Sequence, residues 1–296
     1  MITDVPNQIP FPEFPSSKSA LLIPIIYLIF VISFTTIEYF SNYQTNPVIF
    51  FSILNILSII VVLSMGVKFE SLIDALGADT NRPWQLWLSI SIGFILGSIL
   101  FSMLNPLSIY GVQPTTTSVI FANTLNIGMP LSTSGTKSGI NILFFSWVGF
   151  AEEIMCLVMM AVITNYIVTN SRINTKNAII IGAVISRIIW AIQHFVEYTV
   201  INALGIPSYI LAVILGLIFT GLSMMFYFKT GNTKLDTIWY FPEPVLAGAV
   251  IAHITYDVLI GLKYISISAL PFTYSIGIIL LIPTLILFLQ KEKNMI

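Results

Sequence analysis

The stretch from Asn141 to Val168 reads NILFFSWVGFAEEIMCLVMMAVITNYIV, and its reading decides the fold. At about 1.5 Å per residue, a helix of this length crosses the ~30 Å hydrocarbon core of a bilayer. The run is almost wholly apolar, yet two adjacent carboxylates, Glu152 and Glu153, stand in its middle. A charge at membrane depth costs at least ~2.5 kcal/mol on insertion scales, so such a residue marks function by default.

Seven more apolar runs flank this one, near 20–39, 47–67, 85–104, 178–199, 208–228, 244–262 and 268–289. Many are rich in β-branched Ile. Runs this long are still helices in lipid, where every backbone group must be satisfied within its own segment. A membrane barrel would show short alternating strands instead. The expected fold is all-α, a polytopic membrane protein of about eight transmembrane helices.

Composition agrees. Of the 296 residues 8% are charged, against about 25% in an ordinary soluble domain. Mean hydropathy is +0.94. This excludes a water-soluble globular enzyme and a disordered chain. A net charge of -1 with no Lys/Arg block gives no electrostatic footprint for phosphate, so no nucleic-acid partner is expected. The single cysteine, Cys156, excludes an intramolecular disulfide framework and a multi-cysteine metal cluster.

The chain divides into four parts: a Pro-rich arm at 1–19, accessory helices and a long outer loop at 20–140, a helical core at 141–262, and a last helix with a basic tail at 263–296. Pro6, Pro10, Pro12 and Pro15 make the arm extended. The first apolar run lacks a basic start and a small-residue cleavage site, so it reads as retained. The loop 68–84 has helical spacing and is expected along the inner surface. The loop 105–140 is Ser/Thr/Gly-rich and is expected outside.

Lys and Arg number nine in the arm, even-numbered loops and tail, and two in the odd-numbered loops. By the positive-inside rule both termini are cytoplasmic, which needs an even number of spans. The expected location is the plasma membrane of a prokaryote, in contact with its lipids.

The few polar residues within spans concentrate on three runs. Glu152 and Glu153 lie on the fourth. Arg187, His194 and Glu197 lie on the fifth, and His253 and Asp257 on the seventh. The chain has only two histidines, and both are among these. Counted along the helices, all of them except the interfacial Glu197 fall within about 10 Å of depth. His253 and Asp257 are i,i+4 neighbours on one face, and Arg187 and His194 share a face at i,i+7. Three helices can therefore point carboxylates and imidazoles into one polar cavity. A carboxylate beside an imidazole can activate water as a general base, and a second imidazole can stabilise an oxyanion.

At these residues the sequence resembles the CPBP or ABI family of intramembrane glutamic endopeptidases, which includes the CAAX prenyl protease 2 and bacteriocin-processing proteins. The family's motifs are Glu-Glu-x-x-x-Arg, an aromatic-x-x-x-His, and His-x-x-x-Asn, with Asp for Asn in some members. The stretch Phe150 to Leu157 is similar to the first, Trp190 to His194 to the second, and His253 to Asp257 to the third. Gly216 to Gly221 resembles the family's glycine-rich span, and Tyr227 to Gly231 its short basic loop. The likeness covers roughly residues 145–262.

The resemblance implies an endopeptidase in which Glu152 and His194 hold the attacking water. Glu153 supports them, and His253 with Asp257 forms the oxyanion site. It implies a peptide or prenylated-protein substrate, and no cofactor. Zn²⁺ is a minority alternative: the ligand types fit, but no His-Glu-x-x-His spacing is present. Two other function classes stay open, a catalytically weakened relative acting in peptide binding or bacteriocin immunity, and a proton-coupled transporter.

The sequence departs from the family at Leu157, where the motif has Arg. Leu cannot pair with Glu153, and Arg187, at the same estimated depth, is the expected substitute. Asp257 is the other departure, since an ionised carboxylate only accepts hydrogen bonds.

Overall fold

The computed structural model describes residues 9–40, 47–77, 82–104, 139–202, 205–262 and 269–293. It describes side chains over 9–34, 36–37, 53–77, 82–103, 146–192, 209–259 and 270–290. The chain is all-helical. A 3-10 turn (Lys18–Leu21) precedes α1 (Leu22–Phe40), α2 (Pro47–Ser64), α3 (Phe69–Ala75), α4 (Pro83–Leu104) and α5 (Gly139–Asn170). There follow α6 (Thr175–Asn202), α7 (Gly205–Ser223), α8 (Thr233–Trp239), α9 (Ala247–Leu262) and α10 (Ala269–Lys293).

Each of the eight apolar runs is helical, so this is a multi-pass membrane protein by helix length and composition. The count of eight spans is not reached among the described residues. Four segments are long and apolar enough to cross: Pro83–Met103, Ser146–Asn170, Thr175–Ile192 and Leu270–Gln290. A fifth arises if α2 and α3 are one broken span, bent by 116°. The break falls at Gly66, whose φ of 94° lies in the left-handed region that glycine enters without a Cβ clash. The described parts of α1, α7 and α9 are shorter apolar helices.

Helix α5 is the centre. Of its apolar window 89% is buried inside the protein, against 11% for α10. A helix apolar on all sides and covered on all sides is a core element, whereas α10 turns Ile278, Ile279, Ile282 and Leu285 outward. Around α5 stand α2, α6 and α9.

Lipid tails are as apolar as Leu, so helices here associate through close packing and hydrogen bonds. Helices α4, α9 and α10 show this. A Cβ on Gly93 would stand 2.5 Å from the Gly248 carbonyl oxygen, and one on Gly97 would strike the carbonyl of Ala252. The Gly93-x-x-x-Gly97 pair is thus internal packing of α4 on α9. Ser98 Oγ meets Thr273 Oγ1 of α10 at 2.7 Å, and Ser91 donates to the Gly277 carbonyl.

Beyond α7 the chain folds across one end of the bundle. Phe241 N donates to Phe226 O, and Leu246 N to Ala75 O. Gln85 Nε2 donates to Trp239 O, and Arg82 to the carbonyls of Ile238 and Tyr240. Trp84 is buried edge-on against Phe226 and Phe288.

The arm also packs rather than extending away. The amide of buried Asn165 donates to Phe11 O at 2.7 Å and Phe14 O at 2.8 Å, and accepts from Phe11 N. Tyr227 Oη donates to Pro10 O at 3.0 Å and its ring stacks on Phe11. The loop 68–84 does contain the helix α3, but Ser71, Leu72 and Ala75 of that helix are buried. The outer loop lies outside the described residues over 105–138.

The glycine contacts carry a prediction. Gly93→Ala is expected to lower stability in detergent by about 1–3 kcal/mol through overpacking. Gly221→Ala, with nothing within 4 Å of its new Cβ, serves as the neutral control. Thermal unfolding followed by tryptophan fluorescence checks this, and equal midpoints for the two variants contradict it.

Candidate active site

Four helices assemble the polar centre. The cause is local: α5 carries two carboxylates and is covered on every side, so they cannot reach water and must be met by groups from neighbouring helices. Glu153 has no exposed side-chain surface and Arg187 has 1%. The guanidinium of Arg187, from α6, grips Glu153 with two bonds, Nη1 to Oε1 at 3.0 Å and Nη2 to Oε2 at 2.5 Å. This planar fork is the geometry that arginine matches to a carboxylate and lysine cannot. Its remaining edge is used as well, since Nε donates to Thr220 Oγ1 of α7 at 2.8 Å. The Thr220 hydroxyl in turn donates a hydrogen bond to the Gly216 carbonyl at 3.1 Å.

Gly216 has a second task. A Cβ there would stand 2.6 Å from Arg187 Cδ, so the arginine stem can lie against α7 only because position 216 is glycine. The guanidinium also sits 5.4 Å from the centre of the Trp190 ring.

His253 comes from α9. Its Nδ1 lies 2.9 Å from Glu153 Oε1. The ring is stacked on Phe219, with centres 4.9 Å apart, and meets the edge of Trp190. The other ring nitrogen, Nε2, stands 3.7 Å from Glu152 Oε2 and 3.6 Å from Asp257 Oδ2. Glu152 is buried and accepts a hydrogen bond from Trp190 Nε1 at 2.8 Å. Asp257 is the least enclosed member, with 18% of its side chain exposed. Gly149 of α5 lies beside it: a Cβ there would stand 3.4 Å from Asp257 Oδ2, an ordinary contact.

Of the residues singled out in the sequence, Glu152, Glu153, Arg187, His253 and Asp257 are brought together. Arg187 holds Glu153, the pairing expected from its depth, and Leu157 is buried among apolar neighbours. His194 and Glu197 lie on α6, and their side chains fall outside the described residues. Among the described residues no three His, Cys, Asp or Glu side chains are arranged to hold a metal ion.

The sequence reading missed three partners. Trp190 was noted only as a motif aromatic, and it is the donor to Glu152. Thr220 sits in a glycine-rich stretch that was read for likeness alone. Phe219, the neighbour of Thr220, supplies the ring under His253. Their common signal was a polar or aromatic residue at matching depth on the neighbouring spans.

The ion pair sets a stability prediction. Arg187→Leu leaves Glu153 buried without its cation and is expected to cost about 3–5 kcal/mol. Adding Glu153→Met to Arg187→Leu is expected to recover most of that loss, because both charges then leave together. Thermal unfolding of the two variants in detergent decides, and a double variant as unstable as the single one contradicts the pairing.

Comparison with protein-family models, with curated proteins and with solved structures yields no match for this chain.

Proposed function

We propose that the protein is an intramembrane endopeptidase of the CPBP or ABI type, hydrolysing a peptide bond with a water activated by Glu152 and a histidine. The observation that carries this reading is the convergence of Glu152, Glu153, Arg187 and His253 from three helices at one buried point. Carboxylate and imidazole, the pair that general-base hydrolysis needs, meet at this point. The bidentate ion pair supports an active rather than a weakened member. Leu157 was the reason to doubt activity, and Arg187 supplies the charge that Leu157 lacks.

The positive-inside asymmetry supports cytoplasmic termini and, with them, a site in the outer half of the membrane. A substrate arriving there is a membrane-embedded or exported peptide, rather than a prenylated tail offered from the cytosol.

Purified protein in lipid nanodiscs, incubated with a library of hydrophobic peptides, tests the reading. The expected result is cleavage by the wild type that Glu152→Ala abolishes. Absence of any Glu152-dependent product, with proton-coupled uptake into proteoliposomes, would turn the reading towards a transporter.

A second prediction separates this chain from the motif it resembles. Leu157→Arg restores the family residue, yet Glu153 is already paired, so the new charge enters an apolar pocket unpartnered. It is expected to lower stability by about 3 kcal/mol or more and to leave activity unimproved. An increase in cleavage rate on Leu157→Arg contradicts this.

A further inference from the structure

Helix α6 meets both carboxylates of α5, and it meets them differently. Arg187 closes on Glu153 with a charged fork that engages both oxygens. Three residues on, Trp190 gives Glu152 Oε2 an N–H at 2.8 Å. A guanidinium balances the charge of the group it holds. An indole N–H is a neutral donor and nothing else, so it fixes a carboxylate oxygen without adding a charge beside it.

The indole itself is held firmly. Trp190 is buried, and the Arg187 guanidinium lies 5.4 Å from the ring centre. The His253 ring stands perpendicular to it, with centres 5.8 Å apart. On a further side α7 comes so close that a Cβ on Gly216 would stand 3.1 Å from Cζ3 and 3.2 Å from Cε3. Groups from α6, α7 and α9 therefore fix the direction of the N–H. A side chain whose rotamer is locked by packing orients its partner more exactly than a mobile one does. The partner needs that, because Glu152 has several side-chain torsions of its own, and misplacing a reacting group by about 1 Å costs on the order of a hundredfold in rate.

We infer that Trp190 is a positioning residue for the hydrolysis, and that its indole N–H pins Glu152 Oε2 and so aims the carboxylate at the water it activates. This rests on the endopeptidase reading above, and Glu152 keeps the role it has there. The family likeness asks only for an aromatic ring at position 190, which Phe would satisfy. In this chain the N–H is the working part of the side chain. Arg187 and Trp190 thereby divide the carboxylates: one is locked into an ion pair, and the other is oriented without being paired to a cation by the group that orients it.

Replacing Trp190 by β-(3-benzothienyl)alanine tests this, because sulfur takes the place of the N–H while the bicyclic shape is kept. The assay uses the full chain in lipid nanodiscs and a peptide that the wild type cleaves. The expected result is kcat lowered about tenfold or more with KM within about twofold, the pattern of an interaction that serves the transition state. Trp190→Phe is expected to lose at least as much. A ring that only packs gives a different pattern, in which the benzothienyl variant keeps the wild-type kcat and Trp190→Phe alone is impaired. That pattern overturns the inference and leaves the endopeptidase reading standing. A second readout does not depend on activity. The chain has five tryptophans, and the indole N–H resonance of Trp190 in nitrogen–proton NMR spectra is the one lost in Trp190→Phe. It is expected to shift on Glu152→Gln, and a resonance that stays in place also overturns the inference. If it shifts but the wild type cleaves no peptide, the endopeptidase reading fails and takes the positioning role with it, leaving only the hydrogen bond.

Discussion

The pairing of Glu153 with Arg187 is the interaction on which the rest of the site depends. It joins α5 to α6 at a point with no access to water, where a lone carboxylate would be costly and a lone guanidinium more so. Everything adjacent serves the pair. Thr220 takes the third edge of the guanidinium, Gly216 leaves space for the arginine stem, and His253 takes up the remaining capacity of Glu153 Oε1. Four helices are thereby fixed in rotation about their axes, since turning any one of them withdraws a partner from a buried charge.

That constraint explains the division between inner and outer helices. Helix α5 is enclosed because its carboxylates demand partners on more than one side. The apolar spans of α4 and α10 carry no such groups, and α4 approaches α9 through glycines and serines while α10 presents Ile and Leu outward. Interhelical contact in lipid follows small residues and hydrogen bonds, because apolar area alone does not favour one helix over a lipid tail. The arm at 9–17 completes the far end of α5, where Asn165 has both donor and acceptor taken by backbone atoms of the arm.

Some of this was readable in the residues and some was not. Arg187 was legible as the partner of Glu153 because depth along a helix follows from counting at 1.5 Å per residue. The pairing of His253 Nδ1 with Glu153 was not, since depth says nothing of which carboxylate an imidazole turns to. Trp190 was hidden for a related reason: its position as a motif aromatic said nothing of its indole N–H. Over 9–17 the arm is non-helical, but its proline pattern says nothing of where such a segment lies. The bend between α2 and α3 turns on Gly66, one glycine among many in the sequence, whose left-handed backbone angle no local pattern announces.

The sequence by itself determined the solvent, the secondary structure and the depth of the polar groups. Those depend on apolar run length, on backbone hydrogen bonding in lipid and on rise per residue, all of which are local quantities. Only the tertiary structure decided the azimuth of each helix, and with it which atom faces which. That is why it could place Arg187 on both oxygens of Glu153 and Trp190 on Glu152, and leave His253 Nε2 facing two acceptors. Hydrogen-bond partnership is a matter of a few tenths of an ångström between residues 34 to 100 positions apart, and no local pattern encodes it.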